Sequence, residues 1–130
     1  MLLSKQFLLF TVVGAVGTAA HYIVLIIMVQ LMSTDPLRAS IAGFAVGALV
    51  NYYLNYLITF KSNNPHCITL PKFFAVALVG LCLNILIMAL MTSCLHYLLS
   101  QALATVMVLA WNFFFNRFWT FKEVPFCEIR

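Results

Sequence analysis

The chain has 130 residues, of which 65% are hydrophobic and 8% charged, and its formal net charge is +4 at pH 7. With a mean hydropathy of +1.06, it cannot cover itself with polar surface, which excludes a soluble domain and indicates a chain that lies in a bilayer. The positive charge suits anionic lipid head groups, so no nucleic-acid partner is expected.

Four apolar stretches are long enough to cross a bilayer, whose hydrocarbon core takes about 20 helical residues. The first stretch exceeds the apolar core of a signal peptide, so we predict a membrane span there and not a cleaved leader. The sequence predicts an all-α integral membrane fold in one membrane domain, 1–130. The predicted spans are 7–31, 37–60, 73–96 and 99–121.

Basic residues lie almost entirely on one side of these spans, because Arg38 is the only one on the other side. Since Lys and Arg concentrate in cytoplasmic segments, both termini are predicted to be cytoplasmic. The basic residues on that side are Lys5, Lys61, Lys72, Arg117, Lys122 and Arg130.

The first span carries Gly14, Thr18 and His21 on one helix face. Small residues permit close helix packing, and the polar side chains are expected to point into the bundle. His21 is the only ionisable side chain well inside this span. Two roles remain open for it, an interhelical hydrogen bond and a part in substrate or proton handling.

The second span follows a short turn, in which Thr34 or Asp35 is predicted to cap the helix before Pro36. Small residues occur at every fourth position and give way to polar ones toward the cytoplasmic end. These positions are Gly43, Gly47, Asn51, Asn55 and Thr59.

A polar loop at 61–67 is predicted to extend to Pro71 and to separate two repeats, 5–61 and 72–122. Because each repeat holds two spans, both enter the bilayer from the same side. The sequence therefore predicts parallel two-helix repeats about an axis along the membrane normal, and not inverted repeats.

The third span resembles the first at an offset of 66 positions, which pairs Gly80 with Gly14 and Asn84 with Thr18. The fourth span resembles the second more closely. Residues 112–122, NFFFNRFWTFK, align without a gap to residues 51–61, NYYLNYLITFK. We call 51–61 motif 1 and 112–122 motif 2. They share two asparagines, a threonine and a closing lysine, namely Asn51, Asn55, Thr59 and Lys61 in motif 1 and Asn112, Asn116, Thr120 and Lys122 in motif 2.

Amides in hydrocarbon must find hydrogen-bond partners, and the four motif asparagines would form one cluster if the second and fourth helices face each other. Two interpretations remain open. The amides could join helices, each pair contributing about 1 kcal/mol or less. Alternatively, they could line a cavity that accepts polar head-group atoms.

Arg117 has no counterpart in motif 1, where Tyr56 stands. It is near enough to the predicted inner surface to anchor the helix there beside Trp119. Arginine is also the side chain best suited to bind a phosphate through two parallel hydrogen bonds, and a polyprenyl phosphate is an anion found in membranes. The neighbouring aromatic residues are predicted to form an interfacial belt.

Several classes of activity are not expected. The acidic residues Asp35, Glu123 and Glu128 all lie outside the predicted spans, so no membrane carboxylate is available for proton-coupled export. No nucleophile–base pair, metal-ligand spacing or phosphate-binding glycine loop is found. We therefore expect no enzymatic activity, no cofactor and no metal.

The chain resembles the GtrA-like family over 7–121. The residues that carry this resemblance are the paired Asn-x-x-x-Asn segments, the ending NRFWTF at 116–121, and an entry at Lys5 and Gly14 that recurs at Lys72 and Gly80. The resemblance implies a four-helix membrane protein of polysaccharide synthesis, proposed to move undecaprenyl-phosphate-linked sugars across the cytoplasmic membrane.

Our main hypothesis is a flippase of the bacterial inner membrane. Arg117, Lys61 and Lys122 would capture the phosphate, and the four asparagines would bind the sugar. A homodimer or a higher homo-oligomer is expected because four helices enclose little volume. Alternatives are a non-transporting partner of a membrane glycosyltransferase and, less favoured, a small-metabolite transporter that depends on His21. Further candidate substrate-binding residues are Thr59, Thr120, Trp119, Asn84 and His21.

Overall fold

The computed structural model describes residues 2–125, apart from the side chains at positions 37, 97 and 98. Within that range all regular structure is helical. Arg130, placed on the cytoplasmic side by the sequence, and Glu128, placed outside the spans, lie outside the described residues. The helices are α1 (Leu3–Ile26), α2 (Pro36–Leu54), α3 (His66–Met91) and α4 (Tyr97–Phe115).

Each of the four helices is long and apolar enough to cross a membrane, which confirms the predicted all-α membrane fold and makes the chain a multi-pass membrane protein. Three helices continue into five-residue π-helical segments, each of which ends with a hydrogen bond from a backbone amide to the carbonyl five residues earlier. These segments are Ile27–Leu31 after α1, Asn55–Thr59 after α2 and Asn116–Thr120 after α4.

The helices pack in two pairs. The first unit, Met1–Lys61, holds α1 and α2, and the second, Ser62–Arg130, holds α3 and α4. In each unit the second helix carries the asparagine motif, and its π-helical segment begins at the second asparagine. The two units therefore present the same polar residues on the same kind of local backbone.

The start of α2 agrees with prediction. The Asp35 carboxylate accepts a hydrogen bond from the Arg38 backbone amide at 3.3 Å, and Pro36 occupies the first helical position. This arrangement satisfies one of the amides that a helix leaves free at its N-terminus, and a proline there gives up no helical bond.

The bounds of the third helix differ from prediction. α3 begins at His66 and includes Pro71, so the prediction that the loop extends to Pro71 is wrong. In the second helical turn, the missing proline amide removes a single backbone bond. At the other end the helix stops at Met91, where the hydroxyls of Thr92 and Ser93 bond carbonyls of the last turn at 2.7 and 2.8 Å.

Glycines set the contact between α1 and α2. A Cβ atom on Gly47 would lie 2.6 Å from the Gly17 carbonyl oxygen, and one on Gly17 would lie 2.9 Å from the Asn51 Cβ. At Gly14 the same position has no atom within 4 Å. Thr18 is exposed, and its hydroxyl donates to the Gly14 carbonyl at 3.0 Å. The expectation that Thr18 points into the bundle is wrong, because its own helix satisfies it.

The second unit shows which residues are equivalent in packing. A Cβ on Gly80 would lie 2.9 Å from the Asn112 Oδ1 atom, just as Gly17 meets Asn51. The structural partner of Gly80 is thus Gly17, an offset of 63 positions that pairs Asn84 with His21. The offset of 66 predicted from sequence is wrong, because small residues recur often enough in this helix to align in more than one register.

Replacing Gly47 with alanine is expected to lower the free energy of unfolding by about 1–3 kcal/mol, because the added methyl group forces the two backbones apart. Gly14→Ala is the matched control. Its methyl group meets open space, so its stability should be unchanged or slightly higher. Unfolding in mixed micelles, followed by circular dichroism, measures both. Equal stability of the two variants would contradict the close approach.

Candidate functional site

The polar motifs end in π-helical segments with the same hydrogen bonds. The Phe60 amide donates to the Asn55 carbonyl at 2.9 Å, and the Phe121 amide donates to the Asn116 carbonyl at 2.9 Å. Such bonds widen the helix locally and are frequent at functional sites. In each segment the asparagine is the first residue and the threonine is the last, so both lie on this widened turn.

In motif 1 the side chains of Asn55 and Thr59 are both 0% exposed. The Asn55 amide donates to the Asn51 side-chain oxygen at 2.7 Å and to the Asn51 carbonyl at 3.0 Å. The Asn55 Oδ1 and Thr59 Oγ1 atoms have no hydrogen-bond partner among the residues described. Motif 1 therefore keeps one buried acceptor and one buried hydroxyl unsatisfied.

Motif 2 has the same two buried side chains with unpaired oxygens, lacks a hydrogen bond between its asparagines among the described residues, and adds a cation. Asn116 and Thr120 are 2% and 1% exposed, and their side-chain oxygens again lack partners within the described range. So do Oδ1 of Asn112 and one terminal nitrogen of Arg117. Since each buried unpaired polar group costs about 1–3 kcal/mol, this region is suited to a polar ligand or ordered water.

The structure thus places the predicted asparagines and threonines on one face within each motif. The further expectation, one cluster formed by all four asparagines, stays a prediction.

Cationic side chains lie against aromatic rings in the second unit. The Arg117 guanidinium carbon is 5.5 Å from the centre of the Phe118 ring, and the Lys72 Nζ atom is 5.5 Å from that of Trp119. Both distances fit cation–π contacts. The sequence predicted Lys72 only as a charge at the inner surface. Its contact with Trp119 was not predicted, because no sequence pattern indicates that positions 72 and 119 are close in space.

An apolar groove of about 620 Å³ lies between α3 and the end of α4. The Trp111 indole donates to the Val76 carbonyl at 3.2 Å, and its ring centre is 3.9 Å from that of Phe115, so this wall is fixed by contacts. Aromatic residues that the sequence assigned to an interfacial belt form much of the groove. Its lining comprises Ala75, Val76, Val79, Trp111, Phe114, Phe115, Phe118 and Trp119.

The two motif lysines are exposed. Lys61 has a φ of 45°, a left-handed conformation that ends the helix. The chain that follows the helix of motif 2 is held by Asn64 instead. The Asn64 side chain donates to the Lys122 carbonyl at 2.6 Å and accepts from the Val124 amide at 3.0 Å. Asn64 was not predicted as a site residue, since its position in a polar loop gave no indication of this contact.

Of the predicted site residues, Trp119 is the one that lines the groove, so the motif asparagines and threonines and the cations lie outside its lining. His21 and Asn84, the remaining candidates, lie outside it as well. His21 packs on Gly43 and Gly47, and its Nε2 atom is buried with no partner in the described part of the chain. Asn84 accepts a hydrogen bond from Gln101 at 3.0 Å. Among the described residues, no three His, Cys, Asp or Glu side chains could hold a metal ion.

Comparison with known proteins identifies a family for the chain. No curated protein matches the chain. The family model described as GtrA/DPMS, transmembrane domain, matches residues 9–121. Because this match covers most of the sequence, the chain belongs to the GtrA/DPMS transmembrane-domain family, which is associated with the synthesis of polysaccharides and glycosyl-carrier lipids.

Proposed function

We propose that this protein moves a polyprenyl-phosphate-linked monosaccharide across the bacterial cytoplasmic membrane. The observation that carries the proposal is the apolar groove of the second unit, with Arg117 and Lys72 against its aromatic rings. A lipid with a long apolar chain and an anionic phosphate matches this surface, because the groove is apolar and the two side chains beside it are cationic. The groove volume of about 620 Å³ is within the usual range of ligand sites.

The phosphate is assigned to the basic residues. Arg117 keeps a buried terminal nitrogen without a partner among the described residues, so it can form a charge-assisted hydrogen bond at no loss of an existing one. Lys72 adds charge beside the same groove, and the exposed Lys122 and Lys61 attract the anion from the inner surface.

Within each unit, the sugar is assigned to the buried oxygens of that unit's own motif. Asn55 and Asn116 offer unpaired side-chain acceptors, and Thr59 and Thr120 offer hydroxyls that can donate or accept. A sugar hydroxyl supplies the complementary donor and acceptor. In this proposal Asn51 orients the Asn55 amide by accepting its hydrogen bond, and Asn112 offers a further unpaired oxygen. Trp119 borders the lipid chain, and His21 and Asn84 contribute polar groups elsewhere in the spans.

The proposed transport breaks no covalent bond, so the protein acts without enzymatic activity or a cofactor. Translocation follows the gradient that is created when the sugar is consumed on the far side. The two units are proposed as parallel repeats with both termini in the cytoplasm, which places the basic ends of both motifs at the leaflet where the lipid-linked sugar is made.

Reconstitution into liposomes tests the proposal. Vesicles with the purified protein should expose an enclosed polyprenyl-phosphate sugar to an external sugar-oxidising reagent faster than protein-free vesicles do. An ordinary phospholipid of the same charge is the control substrate and should not be moved faster. Equal rates with and without folded protein would overturn the proposal and favour the alternative, a non-transporting partner of a glycosyltransferase, especially if such an enzyme copurifies.

A further inference from the structure

A second polar cluster in the second unit shares no residue with the groove. The Gln101 side-chain amide donates to the Asn84 side-chain oxygen at 3.0 Å and to the Thr105 hydroxyl at 3.1 Å. The Thr105 hydroxyl donates in turn to the Gln101 carbonyl at 2.8 Å. We call Asn84, Gln101 and Thr105 the amide trio; it joins α3 to α4.

The trio lies within the membrane spans and at the surface of the chain. Gln101 and Thr105 are exposed, and Asn84 is half-buried. Asn84 is seven residues before the end of α3 at Met91, or roughly 10 Å along the helix at 1.5 Å per residue. Its neighbours Leu81 and Ile85 are apolar and exposed. Hydrocarbon chains can cover these neighbours, but they cannot satisfy the amides.

Two groups of the trio remain free. The Gln101 Nε2 atom makes both side-chain contacts, so its Oε1 atom accepts no bond from the described residues. Asn84 uses its oxygen only, and its amide nitrogen donates to no group in the described range. The surface therefore offers one donor and one acceptor side by side, which makes it complementary to itself.

We propose that two copies of the chain associate in the membrane through the amide trio. The Asn84 amide of each copy donates to the Gln101 oxygen of the other, so a twofold axis along the membrane normal gives two equivalent hydrogen bonds. This inference does not depend on lipid transport. The first unit lacks such a face, because Ser40 and Phe44 stand at the positions of Gln101 and Thr105. With one face per chain, the assembly closes as a dimer.

Cysteine cross-linking tests the interface in native membranes. In a background without the native cysteines, Thr105→Cys should give a disulfide-linked dimer on mild oxidation. The matched control is Val106→Cys, which is more than half exposed but points to another side of α4, about 100° around the helix. The control should remain monomeric. No cross-link at position 105, or equal cross-linking at both positions, would overturn the proposal.

A second measurement removes the hydrogen bonds. The double variant Asn84→Leu, Gln101→Leu replaces lipid-exposed amides with apolar side chains, so the helices remain compatible with the bilayer. Its dimer dissociation constant in liposomes, measured by energy transfer between labelled copies, should rise about tenfold for two lost interhelical bonds. An unchanged constant would show that copies associate elsewhere, and it would contradict the trio as the interface.

Discussion

Replacement of Arg117 with alanine is expected to lower the initial rate of lipid-linked-sugar translocation by about tenfold or more, since a hydrogen bond to a charged group contributes about 1.5–3 kcal/mol. The guanidinium lies 5.5 Å from the Phe118 ring and has a buried nitrogen with no partner among the described residues. Alanine removes both the charge and the donors at the groove. The liposome assay, with equal amounts of folded protein, measures the effect.

Two controls separate phosphate binding from helix anchoring. Arg117→Lys keeps the charge but loses the paired donors, so its rate should fall between those of the wild type and the alanine variant. Tyr56→Ala changes the equivalent position of motif 1, which lacks the cation, and should affect the rate less. If Arg117→Ala transported at the wild-type rate, Arg117 would be an anchor only and the phosphate assignment would be wrong.

Much of the fold follows from hydropathy. Four apolar stretches predict four spanning helices, and the Asp35 cap with Pro36 marks the start of α2 correctly. The start of α3 differs from prediction because proline usually marks a helix boundary, whereas α3 begins at His66 and continues through Pro71. The sequence could not show whether Gly14 or Gly17 is the equivalent of Gly80. That depends on which glycine faces the neighbouring helix, and so on the rotation of α1 about its axis.

The polar motifs were recognisable because two gap-free copies place asparagines in apolar surroundings. Their π-helical backbone was not predicted, since the same residues could equally continue an α-helix. The groove was missed for another reason. Its aromatic residues come from α4 and its small residues from α3, and only the packing of these two helices shows that the small side chains leave space beneath the rings.

Filling the groove is expected to reduce transport strongly without altering any charge. Val79 lines the groove and is close to half exposed, so tryptophan at this position would occupy part of the 620 Å³ volume. If the lipid chain lies there while the head group crosses, the Val79→Trp variant should transport about tenfold more slowly or worse, a loss equivalent to roughly 1.4 kcal/mol or more of lost binding.

Leu78→Trp provides the matched control, because Leu78 is the adjacent residue, is also about half exposed, and does not line the groove. The same bulk on a different face of α3 should leave transport near the wild-type rate. A photoreactive polyprenyl phosphate adds a direct readout, since labelling of the wild type and Leu78→Trp should exceed that of Val79→Trp. Equal labelling and equal rates in both variants would contradict the groove as the lipid site, whereas a selective loss at Val79 would place the lipid chain between α3 and α4, beside Arg117.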